Sequence, residues 1–330
     1  MIFMAVIPLV CVVTGSFIWL YATVTSSTSL VNPVELSIPR GASTPKIADS
    51  LMQHHVITSP LAFRLYARIT GRSAKLRSGY YRFEGAASIQ DILVRLVQGD
   101  VIQFQVSIPE GLRNDEILDL LAGKTGLPRQ SWQNALMTLL PDQAEGRLLP
   151  ETYRYTRPVD PQVLLKSMLR AQQSILNKLS GDKERQQRLR IMASIIEKET
   201  ALAEERPLVA AVIVNRLRKH MPLQMDPTVI YGLWKTDGAF SGNIHRKDLK
   251  ADNPWNTYTR RGLPPTPIGN PGAASIRAAA YPAEVDYLYF VADGRGGHAF
   301  AATFEEHQAN VRKWMSIERR QNEERNAGGR

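Results

Sequence analysis

Two glutamates, Glu197 and Glu199, sit inside an otherwise largely apolar helical segment that opens MASIIEKETA at residues 192–201. Carboxylates are seldom fully buried unless something pairs with them or uses them. A glutamate on an apolar helix face therefore has two readings. In one it is half of a structural ion pair, with Arg206, Arg216 and Arg218 as available partners. In the other it is an acid whose pKa an apolar pocket has raised, able to give up a proton near neutral pH. The pattern alone leaves both open. Helix geometry separates Glu197 from Glu199. At about 100° per residue the two point about 200° apart. Position 199 follows Met192 by seven, Ile195 by four and Ile196 by three, so it shares their stripe. Position 197 falls with Ala193 and Ala201 on a weaker face. Glu199 is the better candidate for a desolvated acid, and Glu197 for a supporting or solvated one.

The elements that must hold these residues can be read from pattern. Two apolar helices are expected at 188–202 and 204–219, then Pro- and Gly-rich loops and an aromatic strand, YLYFVAD, at 287–293. That strand reads as buried on both faces, with Tyr289 and Phe290 in a core. A last helix is expected over 303–318, and the charged end after it as a disordered tail at 319–330. Upstream, VELSIPRG and LRSGYYRF read as strands, with STSLVNP before the first as a polar linker. Helices are expected near 43–55, 59–69 and 88–97, and a further strand in VIQFQVSIPEG. A strand, turn and helix recur in SIPRG with ASTPKIADSL and in SIPEG with LRNDEILDL. Residues 108–187 read as a mainly helical connecting region that includes a long amphipathic helix, PQVLLKSMLRAQQSILNKL.

The bulk numbers bound the partners. Forty-one Lys and Arg stand against 31 Asp and Glu, a net charge of +10 in 330 residues. Such a balance suits an anionic partner: nucleic acid, a membrane surface or an acidic wall polymer. No zinc finger, basic zipper or RNA-binding aromatic signature is present, so nucleic acid is the weakest of the three. The one cysteine, Cys11, excludes an intrachain disulfide and any multi-cysteine metal site. The six histidines show no HExxH spacing, and no metal or cofactor is expected. DGRGGH at 293–298 lacks the phosphate-loop pattern and reads as a turn.

No charged residue precedes Glu35, and residues 2–24 are apolar enough and long enough to span a bilayer as a helix. Trp19 and Tyr21 lie near one end, where interfacial aromatics belong. A cleaved signal peptide would show a basic start and a small-residue cleavage site, and neither is clear. An uncleaved single-pass anchor is expected, its orientation not fixed by charge.

From Met192 onward the chain resembles the YceG-like family of membrane-bound endolytic murein (lytic) transglycosylases. Five blocks carry the resemblance: SIIEKET (194–200), VNRL (214–217), LQMDPTVIYG (223–232), NTYTRRGLPPTPIGNPG (256–272) and YLYFVADGRGGHAF (287–300). SGYYRF, IPEG and LPETYRY resemble the family's LysM-like and connecting region more loosely. Two positions depart from the family pattern: Arg147, where an aromatic residue is usual, and Gln308, where Asn is common.

The resemblance implies an extracytoplasmic (periplasmic) domain on the plasma (inner) membrane. It implies cleavage of peptidoglycan glycan strands to 1,6-anhydro ends without water, and association with wall-synthesis enzymes. The second glutamate of EKET carries the chemistry in the family, which maps to Glu199. Asn215 of VNRL belongs to the supporting set. Asp226 in QMDPT either turns the chain before Pro227 or, with Gln224 and Thr228, binds glycan hydroxyls or orients Glu199. Asn256 and Tyr258 lie in a proline-stiffened loop that is either structural or a wall for an extended sugar chain, with Tyr258 the better stacking residue.

The fold expected is α+β: a transmembrane anchor and linker (1–32), a small LysM-like module (33–107), the connecting region, and a catalytic domain over 188–318. Two other readings remain: a wall-binding scaffold in which Glu199 is only structural, and a true hydrolase using Glu199 with Asp226 or Glu205.

Overall fold

The computed structural model describes residues 2–141, 145–238 and 242–328. It is a mixed α+β chain in two compact units, residues 1–105 with 154–160, and 106–153 with 161–330. The first unit contains α1 (Ile2–Thr25), β1 (Ser27–Ile38), α2 (Thr44–Gln53), α3 (Pro60–Ile69), β2 (Gly79–Ser88) and α4 (Ile89–Gln98). β1 and β2 pair antiparallel, Ser27 opposite Ser88 and Ile38 opposite Gly79. The period-two residues Leu36, Ile38, Tyr81 and Phe83 face inward onto Leu51, Phe63, Leu93 and Leu96, all buried. The segment 27–33, expected as a linker, is strand instead. Its register breaks between Leu30 and Val34, where Pro33 has no N–H to give the ladder. A capping box starts α4: Ser88 Oγ accepts from Asp91 N, and Asp91 Oδ2 accepts from Ser88 N.

α1 forms over the apolar stretch expected of it. Its far end joins this unit's core through Val24 and Leu20. Val12, Val13, Phe17, Ile18 and Tyr21 lie exposed along its surface. Among the residues whose side chains are described, which exclude the first ten, no helix is long and apolar enough to cross a membrane.

Two short strands follow in chain order around a pair of helices: β3 (Phe104–Ser107), α5 (Asn114–Thr125), α6 (Arg129–Leu139) and β4 (Thr152–Tyr155). β3 and β4 form a two-stranded sheet. The strand-turn-helix pattern read twice in the sequence thus appears as β1 with α2 and β3 with α5. Then come α7 (Pro161–Leu179), α8 (Lys183–Glu199), α9 (Arg206–Arg218), α10 (Asp226–Asp237), α11 (Arg246–Lys250), α12 (Ala273–Ala280), β5 (Tyr289–Ala292), β6 (His298–Ala301) and α13 (Phe304–Gly328).

The core of the second unit is built on α8, α9 and α12. Ile191 to Ile196 are six consecutive buried residues, so this half of α8 is enclosed on every side rather than along one stripe. Leu149 and Leu176 belong to the same core, and the expected connecting region 108–187 lies in this unit apart from residues 154–160.

Two further expectations differ. β5 is only half-buried, because it pairs with a single strand, β6, Tyr289 opposite Ala301. The turn between them is held by Asp293, whose Oδ1 accepts from Arg295 N at 2.7 Å and Gly297 N at 3.1 Å. α13 runs on to Gly328 through residues expected as a disordered tail. No Pro and no Gly interrupts it before Gly328, and Glu, Arg, Gln and Ala favour the helix.

Candidate active site

Glu199 is the last residue of α8. Thr200 follows in extended conformation as its C-cap, which turns the chain away and leaves the glutamate at the rim of the core. Although the residue as a whole is partly exposed, its Oε1 is enclosed and receives no hydrogen bond. Burial, then the nearby charge of Asp226, pushes the carboxyl up to about 8. An acid in this state is protonated at neutral pH.

The carboxyl opens on a cavity of about 200 Å³ lined by Arg216, Gln224, Met225, Asp226, Tyr258 and Phe290 among others. The Tyr258 hydroxyl donates to Asp226 Oδ1 at 2.6 Å. Burial, and then that hydrogen bond, raises the tyrosine's pKa, so it remains a donor. Gln224 adopts a left-handed backbone, φ 52°, uncommon for a residue with a side chain. The conformation is braced from both sides. Gln224 N donates to Thr257 O at 3.1 Å. Arg216 Nη1 donates to Leu223 O at 2.8 Å and to Gln224 Oε1 at 3.2 Å. Arg216 Nε reaches Leu288 O at 2.6 Å, and its guanidinium lies 5.2 Å over the Tyr289 ring. One buried arginine thus fixes the loop before α10 to the segment entering β5.

The segment after Glu199 is held by a second cluster. Thr200 Oγ1 donates to Glu205 Oε2 at 2.7 Å, and His298 contributes its backbone N at 2.6 Å and its ring Nδ1 at 2.7 Å to the same carboxylate. Burial alone would raise the pKa of Glu205, but the hydrogen bonds from His298 and Thr200 overcome it and hold the carboxyl below its usual range. Among the described residues, no group of His, Cys, Asp and Glu is placed to hold a metal ion.

The YceG-like family model matches residues 36–313. The chain belongs to the YceG-like family. It is 32% identical over 324 residues to the endolytic murein transglycosylase of Bacillus subtilis (strain 168), covering 87% of this chain and 89% of that one. It is 27% identical to the endolytic murein transglycosylase of Streptococcus pneumoniae (strain D39), spanning 58% of that longer protein and 84% of this chain. A 2.6 Å crystal structure of a putative YceG-like protein from Listeria monocytogenes superposes with a TM-score of 0.53 at 30% identity, covering 84% of this chain and 99% of that one.

In this YceG-like chain the residues singled out by sequence fall into two groups. Glu199, Gln224, Asp226 and Tyr258 share one cavity. The others brace it from behind. Asn256 is fully buried, its Nδ2 donating to the carbonyls of Asp248, Leu249 and Ala251 that end α11, so it cannot meet a substrate. Thr228 is also buried; its hydroxyl meets Thr257 Oγ1 at 2.8 Å and Met225 O at 2.6 Å. Asn215 donates to Val285 O at 2.8 Å and Tyr287 O at 3.0 Å.

Glu197 departs most from its expectation. It is not solvated: its side chain is 5% exposed, paired with Arg206 at 3.3 Å and accepting from Gly272 N at 2.8 Å. The close packing of α8 on its neighbours buries its weaker face as well. No ion pair forms on Glu199 from Arg206, Arg216 or Arg218. Asp226 opens α10 directly before Pro227, and its charge lies near enough to Glu199 to raise that carboxyl's pKa.

Three positions have roles unseen in the sequence. Phe290 packs against the core as expected, and also lines the cavity. Ser194 accepts from Ile268 N at 3.0 Å and ties the proline-rich loop to α8. Asn270, fully buried, joins Leu148 N, Leu112 O and Asn114 Oδ1. A buried polar residue within GNPG was the one available signal for the last.

Proposed function

We propose that this protein is a membrane-anchored, endolytic peptidoglycan lytic transglycosylase, a lyase in which Glu199 acts first as acid and then as base. The observation that carries the reading is the enclosed Glu199 carboxyl, protonated at neutral pH and facing a cavity with Asp226 and Tyr258. The names of the curated relatives support the same substrate.

In this scheme the Glu199 proton passes to the glycosidic oxygen as the bond between that oxygen and the anomeric carbon of the muramic residue breaks. The glutamate, now a carboxylate, takes the proton from the same sugar's 6-hydroxyl as its oxygen bonds to the anomeric carbon. No water enters, and a 1,6-anhydro end results. General acid–base participation of this kind contributes about 10²- to 10⁴-fold to rate. Asp226 supplies negative charge that favours the protonated glutamate and suits a positive charge developing at the sugar. Tyr258 orients Asp226 and offers a ring edge to the glycan.

The hydrolase reading has one specific observation in its favour: Asp226 is a second carboxyl in the same cavity, as hydrolysis requires. Product mass separates the two, since hydrolysis adds a water. Purified protein incubated with peptidoglycan is expected to give anhydro-products only, and Glu199→Gln none. Reducing-end products would establish the hydrolase.

The remaining parts of the proposal follow from the sequence. α1, with its exposed apolar side chains, anchors the chain in the plasma membrane, and the catalytic unit works outside the cytoplasm. The first unit is a LysM-like module that holds wall polymer. Wall-synthesis enzymes are the partners that would supply nascent strands.

A further inference from the structure

A second cavity of about 390 Å³ lies in the same compact unit, lined by residues of α5, α6 and α10 and the loop at 145–147. Its lining carries charges of both signs. On one side stands Arg147, partly buried, with no hydrogen bond or ion pair among the described residues. Behind it is Arg190, buried, whose guanidinium is met only by the neutral oxygens of Gln172, Gln173 and Gln187. The two guanidiniums stand close enough for Arg147 to lower the Arg190 pKa, second to burial. Among the described residues this corner therefore holds two like charges with no carboxylate hydrogen-bonded to either. Lys235 also lines the cavity, near enough to Glu145 to oppose part of the rise in that carboxyl's pKa.

The other wall is acidic. Glu145 accepts from Asn114 N at 3.1 Å and from the Tyr231 hydroxyl at 3.4 Å. Burial holds its carboxyl up to about 7, so an ammonium group beside it would draw it back to the ionised form. Between the two walls, Tyr231, Trp234 and Trp255 form an aromatic face, with the Tyr231 ring 5.6 Å from Trp234 and 5.5 Å from Trp255.

A neutral sugar would need neither charge. A ligand with a carboxylate at one end and an amine at the other would satisfy both. Arg147 offers a planar fork that a carboxylate meets with two parallel hydrogen bonds. α10 links the two cavities, with Asp226 in the first and Trp234 in the second, eight residues or about 12 Å of helix apart.

We propose that this cavity is an accessory site for a stem peptide of the substrate, a short peptide whose carboxylate is held by Arg147 and whose amine faces Glu145. The inference rests on the reading of peptidoglycan as substrate. The arginine selects for peptide-bearing strands.

The test is calorimetric titration of the full chain carrying Glu199→Gln with four probes: N-acetylmuramyl tetrapeptide, the same peptide with its amine acetylated, a peptide-free N-acetylglucosamine oligomer, and inorganic phosphate. The tetrapeptide is expected to bind. Arg147→Gln should weaken it about tenfold or more, as loss of a charge-assisted pair does. Amine acetylation should weaken it as well, and the peptide-free oligomer should bind independently of Arg147. Should Arg147→Gln fail to fold, Arg147→Lys, which keeps the charge but loses the planar fork, should still weaken the tetrapeptide several-fold. Equal tetrapeptide binding by parent and variant, Arg147-dependent binding of the peptide-free oligomer, or phosphate competing as well as the peptide would each overturn the proposal. Turnover of whole peptidoglycan by the parent chain is measured separately. Turnover without peptide binding defeats this inference alone. Arg147-dependent peptide binding without turnover defeats the catalytic reading and leaves this one standing.

Discussion

At the scale of single residues, Glu199 is defined by what it lacks. Among the described residues its neighbours give it burial and the charge of Asp226, but no ion pair and no hydrogen bond at Oε1. Its carboxyl holds a proton up to about pH 8, well above the usual carboxylate value of 4.5. The general acid is thus present below about 8, and kcat/KM should fall as pH rises through that value. Asp226→Asn removes the second cause of the shift, so the alkaline limb should move to lower pH; a limb that stays put would remove Asp226 from this role. The stability consequence has a definite sign. The folded chain binds the Glu199 proton more tightly than the unfolded chain does, so stability falls as pH rises from 4.5 towards 8. A neutral glutamine escapes that loss. Glu199→Gln should therefore melt progressively higher than the parent as pH is raised across this window, a comparison that thermal melts at several pH values make directly.

The sequence pointed to Glu199 through a stripe of apolar residues. The structure reaches the same residue for a different reason: that half of α8 is buried all round, and Glu199 is singled out by standing at its end. The same full enclosure explains why Glu197, assigned to a weaker face, is buried and paired. Which of two carboxylates finds a cation depends on α9 and the turn before α12, which helical periodicity does not report.

At the scale of elements, the site is an assembly of helix ends and loops fastened to a buried core. α8 ends at Glu199, α10 begins at Asp226, and the loop at 256–272 closes the wall through Tyr258. The Thr200, Glu205 and His298 cluster ties the residue after the acid to β6. Glu205→Gln keeps the shape but loses the charge that two partners share. It should cost about 1–3 kcal/mol of stability and lower turnover by displacing the end of α8. Equal melting and equal turnover would reduce the cluster to surface decoration. Gly269 is a steric requirement of the same loop, since a Cβ there would stand 2.7 Å from Gly111 O, a backbone atom that cannot swing away.

Element positions were largely readable, α7 to the residue and α4 within one residue at each end. The hairpin of β5 and β6 was half-read, because four residues of HAFA carry too little alternation to announce a strand. The roles of Asn256 and Thr228 were hidden for another reason. A motif gives residue type and spacing, and burial decides whether an amide meets a sugar or a helix end.

At the scale of the whole molecule, the chain divides into two units with separate cores. The expected boundary at 188 does not coincide with that division, because α5, α6 and α7 pack into the same unit as α8. Their apolar faces were visible in the sequence, but not their partner. The net charge of +10 suits both an anionic wall and an anionic membrane. Removal of residues 1–19, which spares the Leu20 and Val24 contacts with the first core, should move the protein from the membrane fraction to the soluble fraction with its secondary structure intact. Recovery of the full chain in the soluble fraction would contradict an anchor.

The central claim is that one enclosed glutamic acid performs a water-free cleavage. The measurement that tests it most directly is the mass of the products released from purified peptidoglycan by the parent chain and by Glu199→Gln. Anhydro-products from the parent and none from a variant that melts normally are the predicted result. Full activity in Glu199→Gln, or products each heavier by one water, would contradict it.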